Sequence, residues 1–442
     1  MEVPQHLLGR DVACSCQKVH RVPIEQIVVD VDMMSSLSQF ISNHGWTRIL
    51  MVADVNTYRA FGERVEEALA SSSISVHTYV FAKEHGLLAD EVAVAAVTSE
   101  IANNPSDVVL AVGSGVINDI VRYVTFRKGL PYISVATAPS MDGYASTMAA
   151  MQFDGIKVTS TTHSPIAIFA HPKVLSEAPW ELLQSGFGDL IGKVISLLDW
   201  KLAHALYSET LCQTAYDVVS EPLNFVISHA GDILSRDQTA AKNLFIGLVN
   251  SGISMALMGN SRPASGCEHH CSHYWDLAAY QGRRAHYSHG IQVGYATYSM
   301  IEFYKYIESL PRINVPKVEP VSEEFARYTN QFYGSGAKEV IAAQVEKYEW
   351  LQRMTFRSEL RIADLVTALQ PELNRLDAVR EALLTVGITG DLYQIEVDDA
   401  LRMETFLHAR ELRSRYTAFD FLVGQGLLQS AASRAVMTGH SS

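Results

Sequence analysis

Cysteine is scarce in this 442-residue sequence: only Cys14, Cys16, Cys212, Cys267 and Cys271 occur. Five is few and odd in number, which argues against a disulfide framework and predicts a reducing compartment. No run of about 18 apolar residues occurs, and the start, MEVPQHLLGRDVACSC, has no basic segment leading into an apolar one. Neither membrane insertion nor export is therefore expected, and the cytoplasm is the expected location. Positive charge is short as well, with 35 Lys+Arg against 48 Asp+Glu and a net charge of −13. That balance offers no footprint for a phosphate backbone, so nucleic acid is not an expected partner, although a local basic pocket for one small anion remains open. With 48% hydrophobic and 19% charged residues, disorder is excluded as the main theme. Small-molecule chemistry is the expectation.

From residue 24 to about 170, short β-rich runs alternate with helix-like stretches: IEQIVVDV (24–31), RILMVADV (48–55), ISVHTYVF (74–81), DVVLAVG (107–113), YISVAT (132–137) and IAIFA (166–170). One of the stretches between them, ADEVAVAAVTSEIA (89–102), repeats apolar residues at helical spacing. Such alternation predicts βαβ units on a parallel sheet, and unbroken apolar runs suit strands covered on both faces. After Pro172 the texture changes. Windows 188–207, 239–259, 363–392 and 398–440 carry apolar residues at i, i+3, i+4 and i+7, with Pro222, Pro311 and Pro316 at apparent breaks. The fold class expected is a doubly wound, Rossmann-like α/β domain over 1–178 followed by an all-α domain over 179–442.

In VVLAVGSGVINDIVRYVTF (108–126), a buried strand enters Gly113-Ser114-Gly115 and then a helix. Such a turn lets the backbone approach a phosphate whose charge the helix start attracts. It is also how an ordinary strand-to-helix turn is made, and Asn118 stands where a third glycine of G-x-G-x-x-G would be. The next strand enters TAPSMDGYAST (137–147), a loop of hydroxyls, a carboxylate and a glycine at the same sheet edge. Asp54 ends the RILMVAD run, placed either to meet a ribose hydroxyl or to form a turn.

His269, His270, His273, His286 and His289 fall within 21 residues of a chain that has 16 histidines in all. His269 and His273, at i and i+4, share a helix face, and Gly282 is expected to interrupt the helix before His286 and His289. A third ligand must come from elsewhere. Asp189, in GFGDLIGK at an expected helix start, has the best context. Two imidazoles and one carboxylate would leave a divalent ion with open positions, as a catalytic site requires. No H-E-x-x-H is present, and C-x3-C at Cys267 and Cys271 lacks a second cysteine pair. Cys14-Ser15-Cys16 with His20 is a further metal candidate, set against two incidental thiols near a chain end.

Four motifs in order, GSGVIND (113–119), TAPSMDGYAS (137–146), GFGDLIGK (186–193) and RPASGCEHHCSH (262–273) with HGIQVG (289–294), make the chain resemble the sn-glycerol-1-phosphate dehydrogenases, bacterial members above all. They are a branch of the superfamily of iron-containing alcohol dehydrogenases and dehydroquinate synthase-like enzymes. The resemblance implies that Gly113, Ser114, Gly115, Val116 and Ile117 cradle the pyrophosphate of NAD(H) or NADP(H). Thr137, Ala138, Pro139, Ser140 and Ser146 would line the cofactor, with Asp54 on its adenosine side. It places one divalent ion, nickel or zinc, on Asp189, His269 and His289, and the substrate near Asp142, Asp189 and His273. Departures are Cys267, where a small non-thiol residue is usual, and Ile291, where an acidic one is. The implied reaction is reduction of dihydroxyacetone phosphate to sn-glycerol 1-phosphate for phospholipid metabolism, in a homodimer, with His273 and Asp142 beside the substrate. Lys193 is the candidate for the substrate's phosphate, against a solvated lysine. A glycerol dehydrogenase, a dehydroquinate synthase-like enzyme and a non-catalytic NAD- and metal-binding protein of the same fold are the alternatives.

Overall fold

The computed structural model describes residues 1–71, 74–83, 85–153, 156–318 and 320–438. Each of the six apolar runs contains one strand of a single sheet: β3 (Gln26–Val29), β4 (Arg48–Asp54), β5 (Ser75–Phe81), β6 (Val108–Gly113), β7 (Tyr132–Ala136) and β10 (Ala167–Ala170). Their order is β3-β10-β7-β6-β4-β5, and every pairing is parallel. Alternate residues of the central strands enter two separate cores. Ile49, Met51, Leu110 and Val112 face one, and Leu50, Val52, Val109 and Ala111 the other. Burial on both faces is why these strands read as unbroken apolar runs. Two antiparallel pairs accompany the sheet, β1 (Asp11–Ala13) with β2 (Val19–Arg21) and β8 (Met148–Phe153) with β9 (Ile156–Thr161).

Local chemistry sets the helix limits. Asp90 caps Glu91–Asn103 by accepting the Ala93 N–H at 2.8 Å, and Gly129, at φ +66°, ends Gly115–Lys128 where a left-handed residue is needed. Beyond Pro172 every element but the 3-10 turns is α-helical. Window 188–207 holds parts of two helices, Trp180–Ile191 and Lys193–Tyr207, parted at Gly192. Asp189 therefore lies near the end of a helix, not at a start, and Lys193 opens the next helix. Pro222 does not break its helix: Gln213–Ser228 runs through it. Proline removes one N–H from the ladder, but Ala215, Val219, Leu223 and Val226 are buried on both sides of it and hold the helix in place. Residues 439 and 440 of the last apolar window lie outside the described residues.

The chain forms two compact units: residues 1–190 with 224–259, and residues 191–223 with 260–442. A break at 178/179 was expected from composition; the first unit runs on to Leu190 and also takes in 224–259, with the helix Gln238–Met258. The second unit is all helical, with Trp200, Trp275 and Tyr304 fully buried and Phe303 edge-on to Phe406 and Phe419. Among the described residues no helix is long and apolar enough to cross a membrane.

Candidate functional site

Parallel strands send their carboxyl ends to one edge of the sheet, and in the first unit β4, β6 and β7 end there side by side. Chain order reverses between β4 and β6, which is where open α/β sheets carry ligands. Gly113 and Ser114 link β6 to the helix Gly115–Lys128, whose N-cap Ser114 makes no side-chain cap. First-turn N–H groups lack partners within a helix, so this end suits an anion. A β-carbon on Gly113 would lie 2.7 Å from Cβ of Ile117, whereas the atoms nearest to one on Gly115 belong to the flexible Met141 side chain, its sulfur at 3.3 Å. Val116 is exposed, but the Ile117 side chain packs in the core, so Ile117 can offer a ligand only its backbone. Thr137, Ala138, Ser140 and Ser146 are all buried at the end of β7, and Pro139 lies between them. Asp54 caps a short helix: its Oδ1 accepts the Thr57 N–H at 2.8 Å, while Thr57 Oγ1 accepts the Asp54 N–H at 3.0 Å. It is thus a turn former that also ends a strand at the ligand-bearing edge.

The same unit holds Asp142 and Asp189. Asp142 opens a 3-10 turn, donates its N–H to Asp189 Oδ2 at 2.9 Å and accepts the Ser251 hydroxyl on Oδ2 at 3.0 Å. Asp189 is wholly buried. Gly186, one turn earlier, explains why a helix crossing here carries glycine: a β-carbon would sit 1.7 Å from the Pro139 carbonyl oxygen. Arg122, fully buried on the Gly115–Lys128 helix, donates to the carbonyls of Gly143, Tyr144 and Met148 and so fixes the loop carrying Asp142 and Ser146. Nothing in its sequence context pointed to that role.

In the second unit, helices Cys267–Tyr280 and His289–Glu308 bring three imidazoles together. Ring centres are 5.0 Å apart for His269 and His289, 5.8 Å for His273 and His289, and 6.5 Å for His269 and His273. Each of the two expected ligands is held through Nδ1. Glu268 Oε1 is 2.7 Å from that atom of His269, and Ser272 Oγ is 3.2 Å from that of His289. Both contacts occupy Nδ1, the arrangement that outer partners have where they orient metal-bound histidines. The ligand nitrogens of the pair lie within 4.8 Å of one another. The other two histidines go elsewhere. His286 is exposed beside Tyr280, beyond the break that Gly282 makes at φ +69°. His270 is fully buried with neither ring nitrogen hydrogen-bonded among the described residues, and burial keeps it well below the usual histidine range.

Glu268, inside the SGxEHxxSH motif, accepts the Gly266 N–H at 2.8 Å in addition to holding His269. Its burial is complete, as is that of Asp199, whose carboxyl is pushed up to about 6 by burial and by the nearby charge of Glu268. Lys193 is fully buried, which removes the solvated-lysine alternative. Two further cations escaped notice in the sequence. Among the described residues Arg415 hydrogen-bonds only to the Ser261 and Ser265 carbonyls and the Ser261 hydroxyl, and burial, then the charges of Arg262 and Arg413, push it down to about 9. Arg413, lowered by burial alone, makes no hydrogen bond or ion pair through its side chain among the described residues. Their cationic neighbours differ: Arg262 pairs with Glu209, and Lys347 and Arg410 with Asp420.

Residues 28–179 match the family model described as iron-containing alcohol dehydrogenase. The chain is 36% identical over 296 residues, 66% of its length and 74% of the relative's, to a protein of Halalkalibacterium halodurans named glycerol-1-phosphate dehydrogenase (NAD(P)+). To a protein of that name from Geobacillus stearothermophilus it is 35% identical, over 71% of this chain and 78% of the other. In fold it is similar to a probable glycerol dehydrogenase from Sinorhizobium meliloti 1021, with a TM-score of 0.63 at 12% identity, covering 95% of this chain and 98% of that one. The doubly wound sheet, the glycine turn at its edge, the oriented histidines and these identities have one consequence: the chain belongs to the glycerol-1-phosphate dehydrogenases, a family of the iron-containing alcohol dehydrogenases.

Proposed function

We propose that this protein reduces dihydroxyacetone phosphate reversibly to sn-glycerol 1-phosphate with NADH or NADPH and one divalent ion, nickel or zinc. The observation that carries the reading is the imidazole pair in which both Nδ1 atoms are already engaged, in a chain about 35% identical to enzymes named for this substrate. The residues present fit the absent groups. His269 and His289, with Asp189 as the third ligand that the resemblance implies, form a donor set nickel and zinc both accept. The uncapped helix start after Gly113 suits a pyrophosphate, with Ser114, Gly115, Val116 and the Ile117 backbone beside it. Thr137, Ala138, Pro139, Ser140 and Ser146 line the cofactor, and Asp54 faces its adenosine end.

A metal held there would supply a Lewis acid for the C2 carbonyl, and a bound reduced nicotinamide would supply the hydride. The remaining work belongs to side chains. Asp142, held by Ser251, accepts a substrate hydroxyl proton in a hydrogen bond. His273, protonated, orients the C2 oxygen and gives it a proton as the alcohol forms, and takes a replacement proton from solvent. Glu268 and Ser272 hold the two ligand rings so that neither must reorient during turnover. Lys193 takes the phosphate as a buried point charge, and Arg413, a guanidinium without a carboxylate, is the second candidate for that group. A homodimer in the cytoplasm is proposed from the resemblance. The test is NADH oxidation by nickel- or zinc-loaded protein offered dihydroxyacetone phosphate, dihydroxyacetone and a seven-carbon sugar-acid phosphate. Turnover of the first alone is expected; preference for either of the others overturns the substrate assignment.

A further inference from the structure

The turn between β1 and β2 gathers three side chains that the reaction does not use. Cys14 and Lys18 close it, with the Cys14 N–H donating to the Lys18 carbonyl and the Gln17 N–H to the Cys14 carbonyl, each at 3.0 Å. Gln17 sits at φ +66°, a left-handed conformation that strains a non-glycine residue. That strain turns the chain so that Cys14 and Cys16 face the start of β2, where His20 is 3% exposed. Cys16 Sγ is 3.1 Å from His20 Nε2, and one ligand atom from each of Cys14, Cys16 and His20 lies within 4.8 Å of the others. In sequence alone two such thiols are more often incidental; the hairpin gives both sulfurs one focus.

We propose that Cys14, Cys16 and His20 bind a second divalent metal ion of the zinc class, separate from the proposed catalytic ion. Two sulfurs and one imidazole select a borderline-soft ion with tetrahedral preference and exclude magnesium or calcium, which need oxygen donors. A fourth ligand, water or another donor, completes the coordination. Binding requires both thiols to release their protons to solvent, so uptake weakens as pH falls. The ion closes a loop from residue 14 to residue 20 and so offsets the strain at Gln17. It also ties the hairpin together where β2 packs on the Gln238–Met258 helix, which bears Ser251, the partner of Asp142.

The test separates the two metals. Full-length protein stripped by a chelator is titrated with cobalt alone and, in parallel, with zinc alone followed by elemental analysis. Wild-type protein is expected to bind two zinc equivalents and to develop a near-ultraviolet thiolate-to-cobalt charge-transfer band, which nitrogen and oxygen ligands cannot give. Cys14→Ser/Cys16→Ser is expected to lose that band and one equivalent. His269→Ala/His289→Ala is expected to keep the band and lose the other equivalent. A wild-type titration without the band overturns the proposal with no variant needed. So does a band that survives in Cys14→Ser/Cys16→Ser and disappears when Cys267 or Cys271 is replaced. Failure of the proposed catalytic site has a different signature: the histidine double variant would keep both equivalents.

Discussion

The two units carry polar groups in opposite ways. In the first, chemistry sits at the rim of an apolar sheet, on backbone turns and short loops: Gly113, Asp54 and the 137–146 segment follow directly from strand ends. In the second, it is packed inside helices, where Glu268, His270, Lys193 and Asp199 are wholly buried. A rim site tolerates ionised groups because water and backbone dipoles solvate them; a site inside a helical core must pair or neutralise every charge it buries. Substitutions at the strand-end turns of the first unit should therefore act on cofactor affinity, and those among the buried helical groups of the second on metal retention and substrate charge.

The sharpest break of that comparison concerns substrate charge. Sites built around a polar group reject analogues lacking it by up to about 10⁴-fold, so dihydroxyacetone should fall that far below dihydroxyacetone phosphate in kcat/KM. Lys193→Ala and Arg413→Ala should each lower kcat/KM for the phosphorylated ketone only, and the larger loss identifies the phosphate ligand. Equal kcat/KM for the two ketones would remove the phosphate site and point to a glycerol dehydrogenase.

Metal retention comes next. His289→Ala should lose the proposed catalytic ion, whereas exposed His286→Ala should keep it, as elemental analysis will read. Removing only the outer partner should do less: Glu268→Gln and Ser272→Ala should weaken that metal by about 10–100-fold while leaving the ligands in place. Unchanged affinity in Glu268→Gln would show that burial, and not the contact with Nδ1, orients His269.

For the rim, the two glycines separate packing from ligand approach. Gly113→Ala drives a β-carbon into Ile117, so the helix start must shift. A strain of order 1–3 kcal/mol corresponds to about 5–150-fold in NADH affinity. Gly115→Ala meets the mobile Met141 side chain first and should change affinity less, unless a pyrophosphate occupies that space. Fluorescence titration of both variants, with circular dichroism to confirm folding, decides between the two.

Much of the first unit was legible because its signals are local. An unbroken apolar run followed by glycine specifies a two-faced strand and a turn regardless of the rest of the chain, and each of the six runs holds a strand. The helical windows were visible as well, but in neither unit was it visible what they bury. Periodicity cannot reveal that Gly186 lies in a helix interior because the Pro139 carbonyl passes beside it. Nor can it show that helix Gln213–Ser228 tolerates Pro222, or that Arg122 reaches three carbonyls across the first unit. The i, i+4 spacing of His269 and His273 placed them on one face, while the roles of Glu268 and Ser272 depend on which way each ring turns, a property of packing. Asp189 was singled out for its context and then misplaced at a helix start, because glycines flanking a helical segment read as its boundary.

The smallest effect sharpens the contrast between paired rim charge and buried core charge, and it is a matter of sign. Asp107, in the first unit, accepts from Arg48 Nη2 at 2.8 Å and from the Thr47 and Arg48 N–H groups at 3.0 Å. Chiefly through the Arg48 side-chain bond, its carboxyl falls from 3.8 to about 2. Between pH 4 and 2 the unfolded chain takes up this proton before the folded one does, so the stabilisation present above pH 4 is lost as pH falls through that window. Asp199, in the second unit, runs the other way: burial first, then Glu268, raises it from 3.8 to about 6. Between pH 4 and 6 the unfolded chain releases the proton while the folded one keeps it. Asp199 therefore lowers stability as pH rises across that window and adds no slope above it. Urea midpoints of metal-free protein at closely spaced pH values should show Asp107→Asn flattening the curve only below pH 4, and Asp199→Asn removing a falling contribution only between 4 and 6. If Asp199→Asn instead left the slope between pH 4 and 6 unchanged, Asp199 would be ionised in the folded core with its charge satisfied by Tyr304 and the Cys267 and Ala418 N–H groups, and the contrast between the units would fail at this residue.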